Sequence, residues 1–179
     1  IPPGMLGFLF YSWQRYVGDM GITGPDKGKG GKYLLLPPGY TGDVQTGYFI
    51  LKPRTNKNFL FLRGSIKDGL EAAVDNFKKG LKIYPLKDKD NPAPTELINM
   101  SGRSFSTIFP SDLKYYEILN AIIQDEPLDA INSEVRGEIA SIGIVKGKPF
   151  NPDANMKKLL TEAAILGNAA GRSITYDPR

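Results

Sequence analysis

Residues 58–81 read Asn58-Phe59-Leu60-Phe61-Leu62-Arg63-Gly64-Ser65-Ile66-Lys67-Asp68-Gly69-Leu70-Glu71-Ala72-Ala73-Val74-Asp75-Asn76-Phe77-Lys78-Lys79-Gly80-Leu81. The hydrophobic period changes inside this one stretch. Asn58 to Arg63 is a short aromatic and aliphatic run behind the turn residues Thr55-Asn56-Lys57-Asn58, which is strand chemistry. From Leu70 onward, Leu70, Ala73, Val74, Phe77 and Leu81 recur at i, i+3, i+4, i+7 and i+11, one face of a helix. Asp68 offers that helix a cap and Pro85 a stop. The chain therefore divides into a β-rich part, residues 1–67, and a mainly helical part, residues 68–179.

Toward the N-terminus the β reading continues. Trp13, Arg15 and Val17 alternate with Gln14, Tyr16 and Gly18, the period of a half-buried strand. Lys32-Tyr33-Leu34-Leu35-Leu36 is stopped by Pro37-Pro38-Gly39, and Tyr48-Phe49-Ile50-Leu51 by Pro53. Toward the C-terminus, Lys87 to Thr95 is a polar linker. A helix opens near Ser111 with Leu113, Tyr116, Leu119 and Ile123 as its stripe. A third spans about Ser133 to Ile142, with Gly143 as its left-handed stop. A fourth is capped by Asn151 and opened by Pro152, and carries Met156, Leu159, Leu160, Ala163 and Leu166. Gly167, Ala170 and Gly171 mark its end. The fold class is α+β: an antiparallel β meander or partial sandwich followed by about four α-helices.

Of 179 residues, none is cysteine and none is histidine. Disulfides, thiolate nucleophiles and imidazole bases are therefore excluded, and with them Ser-His-Asp and Cys-His chemistry. Acid–base work would fall to Asp, Glu, Lys or Tyr. No metal site or cofactor is predicted. The net charge of +4 is unevenly spread: residues 1–92 hold 14 Lys+Arg against 8 Asp+Glu, and residues 93–179 hold 9 against 11. The lysines are interleaved with Asp26, Asp68, Asp75, Asp88 and Asp90, so they do not form the uniform basic stripe of a nucleic-acid binder, and no nucleic-acid partner is expected. No apolar run reaches the ~20 residues of a membrane span. A start at Ile1-Pro2-Pro3 and a finish at Asp177-Pro178-Arg179 read as cut ends, so the chain is expected to be an internal fragment.

The loop Gly24-Pro25-Asp26-Lys27-Gly28-Lys29-Gly30-Gly31 fails the phosphate-loop pattern. One spacer residue is missing, Gly30 stands where Ser or Thr would bind magnesium, and a strand rather than a helix follows. An anion site built from Lys27, Lys29 and backbone N–H groups is the remaining functional reading, and a plain basic connection the ordinary one. Trp13, Tyr16, Tyr33, Tyr48 and Phe61 are candidate cleft aromatics, against the commoner role of core residues. Arg63 and Arg103 follow strand-like segments and either pair internally or bind a carboxylate. Asp125-Glu126 and Glu134/Glu138 are candidate acid–base pairs, against the commoner role of a solvated helix face. The candidate ligand-binding set is thus Lys27, Lys29, Trp13, Tyr16 and Arg63, with no catalytic residue assigned.

Arg15-Tyr16-Val17-Gly18-Asp19-Met20-Gly21 and the block from Gly24 through Lys32-Tyr33-Leu34-Leu35-Leu36-Pro37-Pro38-Gly39-Tyr40 resemble the hallmark of the bacterial proteins called domain of unknown function 1254. Tyr48-Phe49, Leu60 to Gly64, Val74 to Lys78, Phe105 to Pro110, Glu126 to Asp129 and Gly143 to Pro149 extend the resemblance over nearly the whole chain. It implies a longer protein, with a β-rich first domain, a helical connection and a second β-domain called domain of unknown function 1214. Its partners would be the missing parts of its own polypeptide, or a second copy across the exposed apolar faces. It also implies a periplasmic or secreted location, with a cytoplasmic one still compatible. The resemblance carries over no catalytic residues. The function expected is a binding or structural module; the alternative is a piece of a hydrolase whose site is shared with the absent domain.

Overall fold

The seven residues Met5–Tyr11 form β1, an element that the period reading passes over. Its alternation is hidden because both faces are apolar. Met5, Leu9 and Tyr11 point into the core, while Leu6, Phe8 and Phe10 lie on the opposite face. A computed structural model of the chain describes residues 1–176, so the closing residues 177–179, read above as a cut end, lie outside it. Within it β1 is the centre of a three-stranded antiparallel sheet, with β2 (Arg15–Gly21) and β5 (Asn58–Gly64) on its two sides. Met5 stands opposite Gly64, Phe8 opposite Phe61 and Tyr11 opposite Asn58. On the other side the register slips between Leu9 and Phe10, a bulge that leaves Tyr16 opposite Phe10 and Gly18 opposite Leu9. Trp13 falls in the β1–β2 turn beside Gln14, whose φ is 55°, so the strand expected from Trp13 begins at Arg15.

Two glycines make this sheet possible. A side chain at Gly7 would lie 2.3 Å from the Phe61 carbonyl oxygen, and one at Gly21 (φ +78°) 1.9 Å from that of Met5. Only glycine lets the strands close at those points. β3 (Tyr33–Leu35) and β4 (Phe49–Leu51) form a separate two-stranded sheet, and they pair in parallel. Parallel pairing needs a long connection, which residues 36–48 supply. The α+β class stands, but the strands do not run as a simple meander: β5 returns past β3 and β4 to pair with β1. Leu9, Met20 and Leu51 are the buried heart of the packing, flanked by Val17, Tyr33, Leu60 and Leu62.

α1 (Leu70–Gly80) packs on β5 and completes the first compact unit, Ile1–Ser101. The change from strands to helix at Lys67 is thus a change of element inside one unit. Gly69, at φ 96°, stands at the cap position without a side-chain bond, in place of the expected Asp68. Ala73 is buried and Phe77 approaches Gly64, but Leu70 is 70% exposed, so the expected stripe is only partly covered. The helix stops at Gly80, and Leu81 turns into extended backbone and is buried.

The second unit, Gly102–Arg179, holds α2 (Leu113–Asp125), α3 (Ser133–Ser141) and α4 (Ala154–Tyr176). Asp112 caps α2 by accepting from the Lys114 amide at 2.9 Å, and Asn132 caps α3 by accepting from the Val135 amide at 2.8 Å. The C-terminal end of α2 is held by Lys146, whose ammonium donates to the carbonyls of Ile123, Gln124 and Glu126 at 3.3, 2.7 and 2.9 Å. α4 begins later than expected: Asp153, not Asn151, takes the first free amide, that of Met156, at 2.7 Å. It also continues through Gly167 and Gly171, which keep helical backbone, to Tyr176. Leu160 is buried, whereas Leu159 and Leu166 are exposed. Among the described residues no helix is long and apolar enough to cross a membrane.

Candidate functional site

The glycine–lysine loop folds around a carboxylate of its own. Asp26 is 4% exposed, and its Oδ1 accepts from the Gly21 amide at 2.7 Å and from the Tyr33 hydroxyl. Its Oδ2 accepts from the Gly30 amide at 3.0 Å. The neighbouring amides are also committed: Gly24 donates to the Gly21 carbonyl, Lys27 to that of Gly24 and Lys29 to that of Asp26. The backbone concavity that could cradle a phosphate is filled from within by the side chain of Asp26. Any anion binding by Lys27 and Lys29 must therefore come from their ammonium groups.

Beside this loop lies a cleft of about 650 Å³, entirely within the first unit, in the range typical of small-molecule sites. Met20, Leu35, Leu60, Leu81 and Ile83 supply its apolar walls, and Tyr33, Tyr48 and Tyr84 its aromatic ones. Lys29, Lys32 and Lys82 stand around it, all exposed. Among the described residues no Asp, Glu, Ser, Thr, Asn or Gln lines it. Tyr33 is the fixed point. Its ring packs against Phe49 with centroids 5.2 Å apart, and its hydroxyl is tied to Asp26. Burial first, and the Asp26 carboxylate second, push its phenol up to about 12, so it stays protonated at neutral pH.

The predicted site residues do not converge. Lys29 lines the cleft, as do Tyr33 and Tyr48 from the wider set of aromatic candidates; Lys27 is exposed on the loop with φ 51° and is not among the lining residues. Trp13 is half-buried in the β1–β2 turn, and its indole N–H is buried without a hydrogen-bond partner among the described residues. Tyr16 is 60% exposed and meets Phe10 edge-on at 6.3 Å. Arg63 neither lines the cleft nor joins an ion pair among the described residues; its guanidinium sits 5.0 Å above the Phe61 ring, a cation–π contact.

The cleft residues that sequence reasoning missed include Met20, Lys32, Leu35 and Leu60, and a whole segment, Leu81, Lys82, Ile83 and Tyr84. That segment's signal was the alternation Leu81-Lys82-Ile83-Tyr84 after a helix-terminating glycine, which marks an extended segment with one buried side. The second unit has a groove of its own, about 550 Å³, between the aromatic wall Phe109, Tyr115 and Tyr116 and the small residues Ala164, Gly167 and Gly171 of α4. Among the described residues no three acidic side chains come together to hold a metal ion.

Residues 1–85 match the family model described as Protein of unknown function (DUF1254). That match bears out the resemblance for the β-rich region and α1, and it contains every cleft residue except Leu86. No curated protein matches the chain. Among solved structures the chain is similar to the crystal structure of the VPA0106 protein from Vibrio parahaemolyticus, at 14% identity and a TM-score of 0.61. That likeness covers 96% of this chain and 42% of the other, so the chain spans less than half of that protein's length. At this identity the likeness is one of fold.

Proposed function

We propose that this chain, whose residues 1–85 match a family of unknown function, is a ligand-binding module, and that the cleft of the first unit is its site. The observation that carries the reading is the character of the lining: apolar walls, tyrosines and exposed lysines, with no carboxylate, carboxamide or aliphatic hydroxyl among the described residues. A hydrolase built on carboxyl groups would need them to converge on one point. The acid nearest in sequence to the lining lysines, Asp26, is spent on three donors of its own fold. An apolar cleft with a few fixed polar groups is the usual form of a small-molecule site.

A second part of the proposal is that the module works inside a larger protein. The 42% coverage of the similar solved structure supports it. So do the open apolar faces: Leu6 and Phe59 on the outer side of the sheet are 38% and 51% exposed, and Leu166 and Ile174 on α4 are 69% and 76% exposed.

The neutral apolar fluorophore N-phenyl-1-naphthylamine tests the cleft. Its emission should rise on mixing with the protein, and Leu60→Trp or Leu81→Trp, which fill the cleft, should suppress the rise several-fold. An unchanged response in both variants, or no response from the parent protein, overturns the proposal.

A further inference from the structure

The cleft's charge is one-sided, and that limits what it takes. Lys29 comes from the glycine-rich loop, Lys32 from just after it, and Lys82 from the segment after α1. Among the described residues none of the three is ion-paired, and none of the acidic side chains lines the cleft to neutralise them. The loop's inward-facing acid, Asp26, is buried behind Tyr33 and already bonded to two amides and a phenol. Three ammonium groups around low-dielectric walls focus a positive potential on the opening.

We infer that the ligand is a single-chain anionic amphiphile, an aliphatic carboxylate whose tail lies along Met20, Leu35, Leu60 and Leu81 and whose head meets Lys29, Lys32 and Lys82. The inference rests on the reading of the cleft as a binding site and deepens it. The tail gains by leaving water, and the head keeps its partial hydration at the mouth while pairing with flexible ammonium groups. A neutral head gains nothing from the lysines, and a cationic one is repelled. Each further methylene that enters the cleft strengthens binding about fourfold until the cleft is full.

Isothermal titration of the protein with octanoate, decanoate, dodecanoate and dodecyltrimethylammonium below their micelle concentrations, and with dodecanol below its solubility limit, tests this. Affinity should climb from octanoate to dodecanoate. Dodecanoate should bind about tenfold tighter than dodecanol, and the cation weakest of all. The variant Lys29→Gln/Lys32→Gln/Lys82→Gln changes only exposed side chains. It should bring dodecanoate down to the level of dodecanol and leave dodecanol where it was. Equal affinity for dodecanoate and dodecanol, unaffected by the triple change, overturns the anionic head group and leaves the apolar cleft standing. Failure of every amphiphile to bind overturns both.

Discussion

Replacing Asp26 should be among the most damaging single changes in the first unit. Asp26→Ala leaves three donors without their acceptor: the Gly21 amide, the Gly30 amide and the Tyr33 hydroxyl. The Gly21 bond is buried and the other two are partly buried. A buried donor left unsatisfied costs about 2–3 kcal/mol, and each of the two that regain water about 1 kcal/mol, for a total of about 4–5 kcal/mol. That is a large part of the roughly 5–15 kcal/mol by which domains are stable. Asp26→Asn keeps the volume and one acceptor oxygen but turns an NH₂ toward one of the donors, so it should cost about 2–3 kcal/mol. Tyr33→Phe removes a single donor and leaves the carboxylate two partners, for about 1 kcal/mol. Urea unfolding followed by the fluorescence of Trp13, the chain's single tryptophan, reads the first unit selectively. The order Asp26→Ala, Asp26→Asn, Tyr33→Phe, from worst to mildest, is expected. An Asp26→Ala unfolding free energy that differs from the parent's by less than about 0.5 kcal/mol would refute the reasoning.

Other perturbations probe separate parts of the fold. Gly21→Ala places a methyl group against the Met5 carbonyl at positive φ, so it should destabilise by at least ~2–4 kcal/mol, seen as a lower Trp13-detected midpoint. Lys146→Met strips the C-terminal carbonyls of α2 of their donor and should cost about 1–2 kcal/mol, read as an earlier loss of helical circular dichroism on heating. Tyr33 is pushed up from 10.0 to about 12. A group whose proton is held more tightly in the folded state stabilises fully below its unfolded value. That contribution should fade as pH rises from about 10 through about 12. The difference between parent and Tyr33→Phe absorbance at 295 nm should show the missing phenol ionising in that upper range, not near 10.

Much of this architecture is visible in the residue order, and the misses have physical causes. The strand at Asn58–Gly64 follows from a short apolar run behind turn residues, and the stripe of α2 from its helical period, whose apolar face is the covered one. β1 escapes because Met5, Leu9 and Tyr11 alternate with Leu6, Phe8 and Phe10, so neither face looks polar. The parallel pairing of β3 with β4 is invisible for a different reason: three-residue strands carry no register signal of their own, and their partnership is set by the path of residues 36–48. Helix α4 outruns its expected end because Gly167 and Gly171 tolerate helical backbone as readily as they end it.

The candidate site shows the same division. Lys29 was legible as a cation in a glycine-rich loop. Tyr33 and Tyr48 were legible as aromatics next to strands. The role of Asp26 was not, since an acid among lysines reads as a solvated partner until the loop is seen to close over it. Trp13, Tyr16 and Arg63 are plausible ligand groups by chemistry alone, yet they sit in a turn and on the outer face of the sheet, away from the cleft lining. Sequence names side chains; only the register decides which of them share a surface.

The most direct measurement is an amide chemical-shift map of the ¹⁵N-labelled protein titrated with dodecanoate. The account predicts shifts concentrated at Gly30 to Leu35, Tyr48, Leu60 and Leu81 to Leu86. Shifts gathered instead around Phe8, Phe10 and Phe61, or along the groove of Tyr115, Tyr116 and α4, would contradict it.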